Sequence, residues 1–291
     1  MQISVDADTF HADVAYLDML YKRCLIGSIE MPLLDLGQGA PLVFVPTLES
    51  LEFVYARQIR FFSQTRRIIL YRRHETRNHF TTLLERVEEL RLLLNHLEIV
   101  TTDLIGHGDG AMILLEFALR YPQRCRSLTI VAQAAEHHLA PHPWVWLLHE
   151  LYLRLPVERV LPDALLRELI VRAFVERQRD EQQKKPSRTV LARSLIEEQL
   201  QKIHGWPAVY KFSVLPITHR FNIQKHLQNL TMPVLLINRN DDALAPENRT
   251  RWLSRHLPNC AGYYVVPGGE HFFMYAEATC VNQIIQHFLH R

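Results

Sequence analysis

The chain predicts an α/β fold: a mostly parallel sheet with helices on both faces and a helical insertion. Three observations carry this. Short unbroken apolar runs such as Leu42-Val43-Phe44-Val45 mark strands buried on both faces. Amphipathic stretches separate them; over 80–97, Leu83, Leu84, Val87, Leu90, Leu94 and Leu97 share one helical face. In Leu104-Ile105-Gly106-His107-Gly108-Asp109-Gly110-Ala111 a strand ends in a glycine-rich turn and runs straight into a helix, marked by Met112, Leu115, Ala118 and Leu119. Alternating strands and helices cover both faces of a parallel sheet.

The elements follow in order. Within 1–24, Phe10, Val14, Leu17, Met19 and Leu20 recur at near-helical spacing, an outer helix or extension. Residues 25–36 read as an opening hairpin and Gly37-Gln38-Gly39-Ala40-Pro41 as the turn after it. Strands are expected at 42–45, 67–71 and 127–132, and Ile99, Val100, Leu104 and Ile105 supply the strand before the glycine turn. Residues 136–226 differ: they open on a His-rich segment, turn helix-prone, and are dense in charge and Gln over 177–188. A strand on Val234-Leu235-Leu236-Ile237, a helix over 247–256, a last strand over 263–266 and a terminal helix over 276–290 complete the chain. The expected division is an extension at 1–24, a core at 25–135 and 227–291, and a helical cap at 136–226.

The totals narrow the function classes. The chain has 291 residues, 48% hydrophobic and 22% charged, enough for one sizeable core. A net charge of +2 offers no concentrated basic face, so neither nucleic acid nor an acidic membrane is an expected partner. No apolar stretch nears the roughly 20 residues that span a bilayer, and the N-terminus has no signal-peptide pattern. The four cysteines are far apart and read as reduced thiols. The expected location is the cytoplasm. No phosphate loop or dinucleotide motif is present, so no cofactor is expected. His138 and His142 would share a helix face, but Pro141 and Pro143 break that helix; an entrance loop is expected there, not a metal site.

The glycine turn carries the chemistry. A strand–turn–helix of the form G-x-Ser-x-G lifts a nucleophile above a sheet. Gly106 and Gly110 sit where side chains would collide with the strand and helix. At the place of the Ser stands Gly108. Here the chain resembles the α/β-hydrolase superfamily: Gly106-His107-Gly108-Asp109-Gly110-Ala111 is similar to that family's G-H-S-D-G-A. Asp242, four residues before Pro246, resembles the family's acid, and Pro267-Gly268-Gly269-Glu270-His271-Phe272 resembles its P-G-x-G-H-F, with His271 on the catalytic His. The resemblance implies oxyanion donors at the backbone N–H groups of Leu48 and Asp109, and pocket positions for Thr47 and His107. Two further departures accompany the missing Ser. The usual His-Gly is Pro46-Thr47, with Glu49 near enough to repel an oxyanion. The usual Asp-x-Arg-Gly-x-Gly-x-Ser is replaced by Arg72-Arg73-His74-Glu75-Thr76-Arg77-Asn78.

Without a hydroxyl at the turn no acyl-enzyme forms there. Asp109 is a poor substitute nucleophile, since moving the frame by one sets the bulky His107 at a small-residue position; its side chain is expected to cap the following helix. What remains is a His271–Asp242 dyad, with His271 as general base and Asp242 orienting it, acting on or binding a small organic molecule. Two alternatives stay open: an inactive pseudo-hydrolase that binds a ligand or a protein partner, and a hydrolase with an altered nucleophile.

Overall fold

A computed structural model describes residues 3–27, 29–137, 143–160, 162, 164–165, 189–240, 242, 244–266 and 271–290. The described residues form an eight-stranded sheet: β1 (Lys22–Ile26), β2 (Ile29–Leu36), β3 (Pro41–Val45), β4 (Arg67–Tyr71), β5 (Thr102–His107), β6 (Cys125–Val131), β7 (Val234–Arg239) and β8 (Cys260–Val266). Their order is β8-β7-β6-β5-β3-β4-β2-β1. β1 and β2 pair antiparallel, as do β2 and β4; all other pairs are parallel. The principal helices are α1 (Ala7–Leu20), α2 (Ala56–Phe62), α3 (Leu83–His96), α4 (Asp109–Arg120), α5 (Pro143–Arg154), α6 (Arg193–Gln201), α7 (Glu247–His256) and α8 (Ala278–Leu289).

Strand side chains alternate between faces, and each face has its own core. Leu42 and Phe44 of β3, Ile105 of β5 and Leu235 of β7 enter one, with Phe10 and Leu17 of α1, Ile59 of α2 and Ile285 of α8. Val43 and Val45, Leu104, and Val234 enter the other, with Val87 and Leu90 of α3, Ile113 of α4 and Leu253 of α7. Burial on both faces explains the unbroken apolar runs at 42–45 and 234–237.

Several boundaries differ from the sequence expectation, each for a local reason. β1 starts at Lys22 rather than at 25: this edge strand exposes Lys22 and Arg23, so no apolar pattern announces it. Ile99 and Val100 lie outside β5. Glu98, at φ 55°, turns the chain after α3 and leaves Val100 in solvent. Leu84 is exposed, not on the buried face of α3, whose start is set by the Thr82–Glu85 capping box. β6 begins at Cys125, and β8 at Cys260, where it pairs with Val234. The terminal helix divides into a turn, Phe273–Ala276, and α8.

Between β6 and β7 the described residues are largely helical: α5, α6, and short turns at Val157–Val160, Trp206–Val209, Tyr210–Val214 and Leu215–Thr218. Leu195, Ile196 and Leu200 of α6 join the core that holds Phe53 and Phe272. The His138 and His142 positions, the 177–188 segment and residues 267–270 lie outside the described residues. No helix among the described residues is long and apolar enough to cross a membrane, and all four cysteines are free.

Candidate active site

All the positions picked out by the motifs follow the carboxyl ends of parallel strands: Thr47 and Leu48 after β3, Gly108 after β5, Asp242 after β7 and His271 after β8. Open α/β sheets bind ligands at that edge.

The turn after β5 has the geometry its glycines suggested. Gly108 sits at φ 53° and ψ −122°, immediately before α4, with its N–H donated to the Val131 carbonyl at 3.0 Å. A Cβ on Gly106 would lie 2.7 Å from the Ala111 Cα, and one on Gly110 would lie 2.6 Å from the Val45 carbonyl oxygen. Both obstacles are backbone. The first turn of α4 therefore rests directly on the end of β3. A Cβ on Gly108 meets only a side chain: His271 Nε2, at 3.2 Å.

His271 is itself oriented. Its Nδ1 lies 2.8 Å from Asp242 Oδ2, and both side chains are buried. With the Nδ1 proton donated to the carboxylate, Nε2 carries the lone pair and points at the turn. Asp242 Oδ1 accepts the N–H groups of Leu244 and Ala245 at 2.9 and 3.0 Å. Burial opposes the charge on Asp242, but His271 and the Ala245 N–H outweigh it and hold the carboxyl below its ordinary range.

His107 does not face a reacting atom; it braces the site. Its Nε2 donates to the backbone carbonyl of His271 at 2.9 Å. Burial, reinforced by the neighbouring His271, pushes its pKa down to about 3 and keeps it neutral. Its own backbone N–H donates to the Tyr55 hydroxyl at 2.9 Å, and that hydroxyl donates to the Val45 carbonyl at 2.8 Å. Tyr55 thus ties the ends of β3 and β5 together.

Thr47 and Leu48 are buried beside the turn. Among the described residues, the backbone N–H groups of Leu48 and Asp109 have no hydrogen-bond acceptor. Glu49, expected to repel an oxyanion, has its carboxylate 3.7 Å from the Arg77 guanidinium, which draws that charge aside.

The Asp109 side chain departs from expectation. It is the first residue of α4, not its cap, and the cap position is Gly108. Its Oδ2 lies 2.7 Å from Arg73 Nη1, while Oδ1 accepts the Gly110 N–H at 3.1 Å. Behind it runs a buried chain of charge: Arg73 pairs with Glu75, and Arg86 reaches Glu75 at 2.9 Å and Glu89 at 3.0 Å. Burial of Glu75 works against its charge, but Arg73 and Arg86 prevail and hold it ionised. The Arg72–Asn78 departure is therefore a built structure that fixes the start of α4. Its sequence signal was the charge itself, alternating through a stretch that follows a buried strand. Tyr55 gave no signal, since one Tyr in a buried helical turn looks like core.

The family model described as the alpha/beta hydrolase fold matches residues 53–278 of this chain. The chain belongs to that family. Among curated relatives, this hydrolase-fold chain is 24% identical over 243 residues to the putative carbamate hydrolase RutD of Caulobacter sp. (strain K31), covering 81% of this chain and 85% of the relative. Solved structures similar to it include an esterase from Thermogutta terrifontis, with a TM-score of 0.73 at 18% identity over 93% of this chain and 98% of the other. Another is the enol-lactonase from Burkholderia xenovorans LB400, with a TM-score of 0.68 at 17% identity over 93% and 100%. At these identities the structural likeness speaks for the fold.

Proposed function

We propose that this α/β-hydrolase-fold chain acts on a small organic molecule through the His271–Asp242 dyad, without a covalent acyl-enzyme. The observation that carries the reading is the oriented imidazole: Nδ1 is held by Asp242 at 2.8 Å, and Nε2 is directed at a turn that bears no side chain. In this reading His271 Nε2 takes a proton from water as the water oxygen bonds to a substrate carbonyl carbon. The carbonyl oxygen gathers charge beside the N–H groups of Leu48 and Asp109. As the tetrahedral species collapses, the bond to the leaving group breaks and the proton passes from Nε2 to that group. Asp242 keeps the correct tautomer and steadies the imidazolium. Thr47 and His107 shape the pocket floor, and the helical stretch within 136–226 acts as a cap that selects the substrate.

Relatives named as a carbamate hydrolase, an esterase and an enol-lactonase point to an ester, lactone or carbamate as the first compounds to try. The test is turnover of such a panel by the wild type and by His271→Ala. The expected result is a loss of about 10²- to 10⁴-fold in the variant, the usual contribution of a general base. Equal rates in the two proteins would remove His271 from the reaction. The second reading, a ligand-binding pseudo-hydrolase, is favoured by Gly108 itself, since the attacking group is the member that is missing. Binding of a ligand with no turnover by either protein would select it.

A further inference from the structure

We propose that Arg72 is a pH-dependent latch on the N-terminal helix α1. While Glu52 is protonated, Arg72 holds the carboxyl end of α1 through Asp18; once Glu52 ionises, Arg72 turns to Glu52 and releases Asp18. The inference lies outside the His271–Asp242 dyad and requires no turnover.

Arg72 directly follows β4, and its backbone N–H donates to the Pro32 carbonyl at 2.9 Å, which fixes the root of the side chain. Its guanidinium lies over the Tyr21 ring, 4.2 Å from the centroid, just past the end of α1. Nη2 donates to Asp18 Oδ1 in the last turn of α1. Nε lies 3.6 Å from Glu52 Oε1, on the helical turn Glu52–Tyr55, which is too far for a hydrogen bond. Among the described residues that buried Nε has no hydrogen-bond partner, and neither has the buried Tyr21 hydroxyl beside it. Buried polar groups are nearly always paired. The unused Nε–H is a donor held in reserve for Glu52.

The two carboxyl groups compete for Arg72 on unequal terms. The Asp18 side chain is 53% exposed, so water replaces Arg72 there at little cost. The Glu52 side chain is 4% exposed, and Arg72 is its one ion-pair partner among the described residues. A buried carboxylate left unpaired is far costlier than a broken surface pair. Burial, only partly offset by Arg72, raises the Glu52 pKa from 4.5 to about 7, so the exchange of partners falls in the neutral range. The other charged groups on the elements around Glu52 are committed elsewhere. Glu49 lies towards Arg77, and Arg73 pairs with Glu75 and Asp109. Asp13 of α1 holds Arg57 and Arg60 of α2 and accepts the Tyr275 hydroxyl. Burial keeps the Tyr21 hydroxyl protonated throughout this range. Closing 3.6 Å to about 2.8 Å takes a small swing of the guanidinium, and because its fork is rigid and planar, Nη2 moves with Nε.

The experiment follows the whole chain by nitrogen-15 NMR from about pH 5.5 to 8.5, reading the Arg72 Nε–H resonance and amide hydrogen exchange in the last turn of α1. Exchange is corrected for its intrinsic pH dependence and referred to α3. The expected result is one step near pH 7 in the Arg72 resonance, with exchange at Asp18–Leu20 about two- to fivefold faster above the step than below it, the range of a surface ion pair. In Glu52→Gln the step should vanish and exchange should stay at its low-pH value. In Asp18→Asn exchange should already be fast at the acid end while the Arg72 step remains. An Arg72 resonance that does not titrate, a step that survives Glu52→Gln, or a step without faster exchange overturns the proposal. If Glu52→Gln fails to fold, the wild type and Asp18→Asn decide by the same two readouts. No substrate enters the measurement, so its outcome is separate from that of the proposed activity.

Discussion

A side-chain carbon placed on Gly108 would lie 3.2 Å from Nε2 of His271. The imidazole thus stands where it could take a proton from a hydroxyl at residue 108. Gly108→Ser should therefore fold and acquire nucleophilic chemistry. At φ 53° and ψ −122° a side chain is strained by about 1–3 kcal/mol, a modest loss in melting temperature. With p-nitrophenyl butyrate the variant should release a burst of p-nitrophenol close to stoichiometric with protein, absent from the wild type. A folded variant with no burst would mean that the Leu48 and Asp109 amides do not receive an acyl oxygen.

Asp242→Asn should preserve the fold near the site but spoil the tautomer of His271. The amide can present an NH₂ to Nδ1, so the ring would carry its proton on Nε2 and lose its basic lone pair there. A comparable Asp→Asn change in a serine protease costs about 10⁴-fold in kcat. A loss of similar order in kcat is expected here, with a smaller change in KM. An unchanged kcat would show that Asp242 only joins two loops.

The outer glycines should behave differently from the central one. Gly106→Ala and Gly110→Ala place a carbon 2.7 Å and 2.6 Å from backbone atoms, which cannot rotate away. Overpacking of this kind costs about 1–3 kcal/mol or more. Both variants should melt several degrees below the wild type and bind ligands at the site poorly. Wild-type melting in both would mean that α4 shifts more freely against β3 than its contacts suggest.

Two buried groups should give stability opposite dependences on pH. His107 is held neutral down to about pH 3 by burial, against an ordinary value of 6.5. Its contribution is complete above about 6.5 and is lost as pH falls from there. Glu52 goes the other way. Burial, only partly offset by Arg72, raises it from 4.5 to about 7, so its contribution is complete below about 4.5 and is lost as pH rises through 7. Glu52→Gln should thus melt above the wild type near pH 8 and match it near pH 5. His107→Gln should lose less stability than the wild type on acidification below about pH 6. Parallel melting curves for wild type and variants across this range would contradict both assignments.

Much of this molecule can be read along the chain. Unbroken apolar runs announce β3, β4 and β7 because those strands are buried on both faces, and Gly106 and Gly110 announce a turn because only glycine fits between two backbones. Asp242 and His271 are legible because their spacings from Pro246 and Gly268 are local. What the chain could not disclose is how distant pieces meet. β1 is hidden because an edge strand needs no apolar pattern, and Leu84 is exposed because one residue's step around α3 carries it off the face shared by Val87, Leu90 and Leu94. The Arg73–Asp109 pair joins residues from two different strand ends, and charge complementarity across such a gap leaves no periodic trace. Local sterics and periodicity were thus determined by sequence alone. The Nδ1–Asp242 bond, the bare space before Nε2 and the neutralised carboxylate beside it were decided only by tertiary structure, because each depends on distances between atoms that no spacing along the chain encodes.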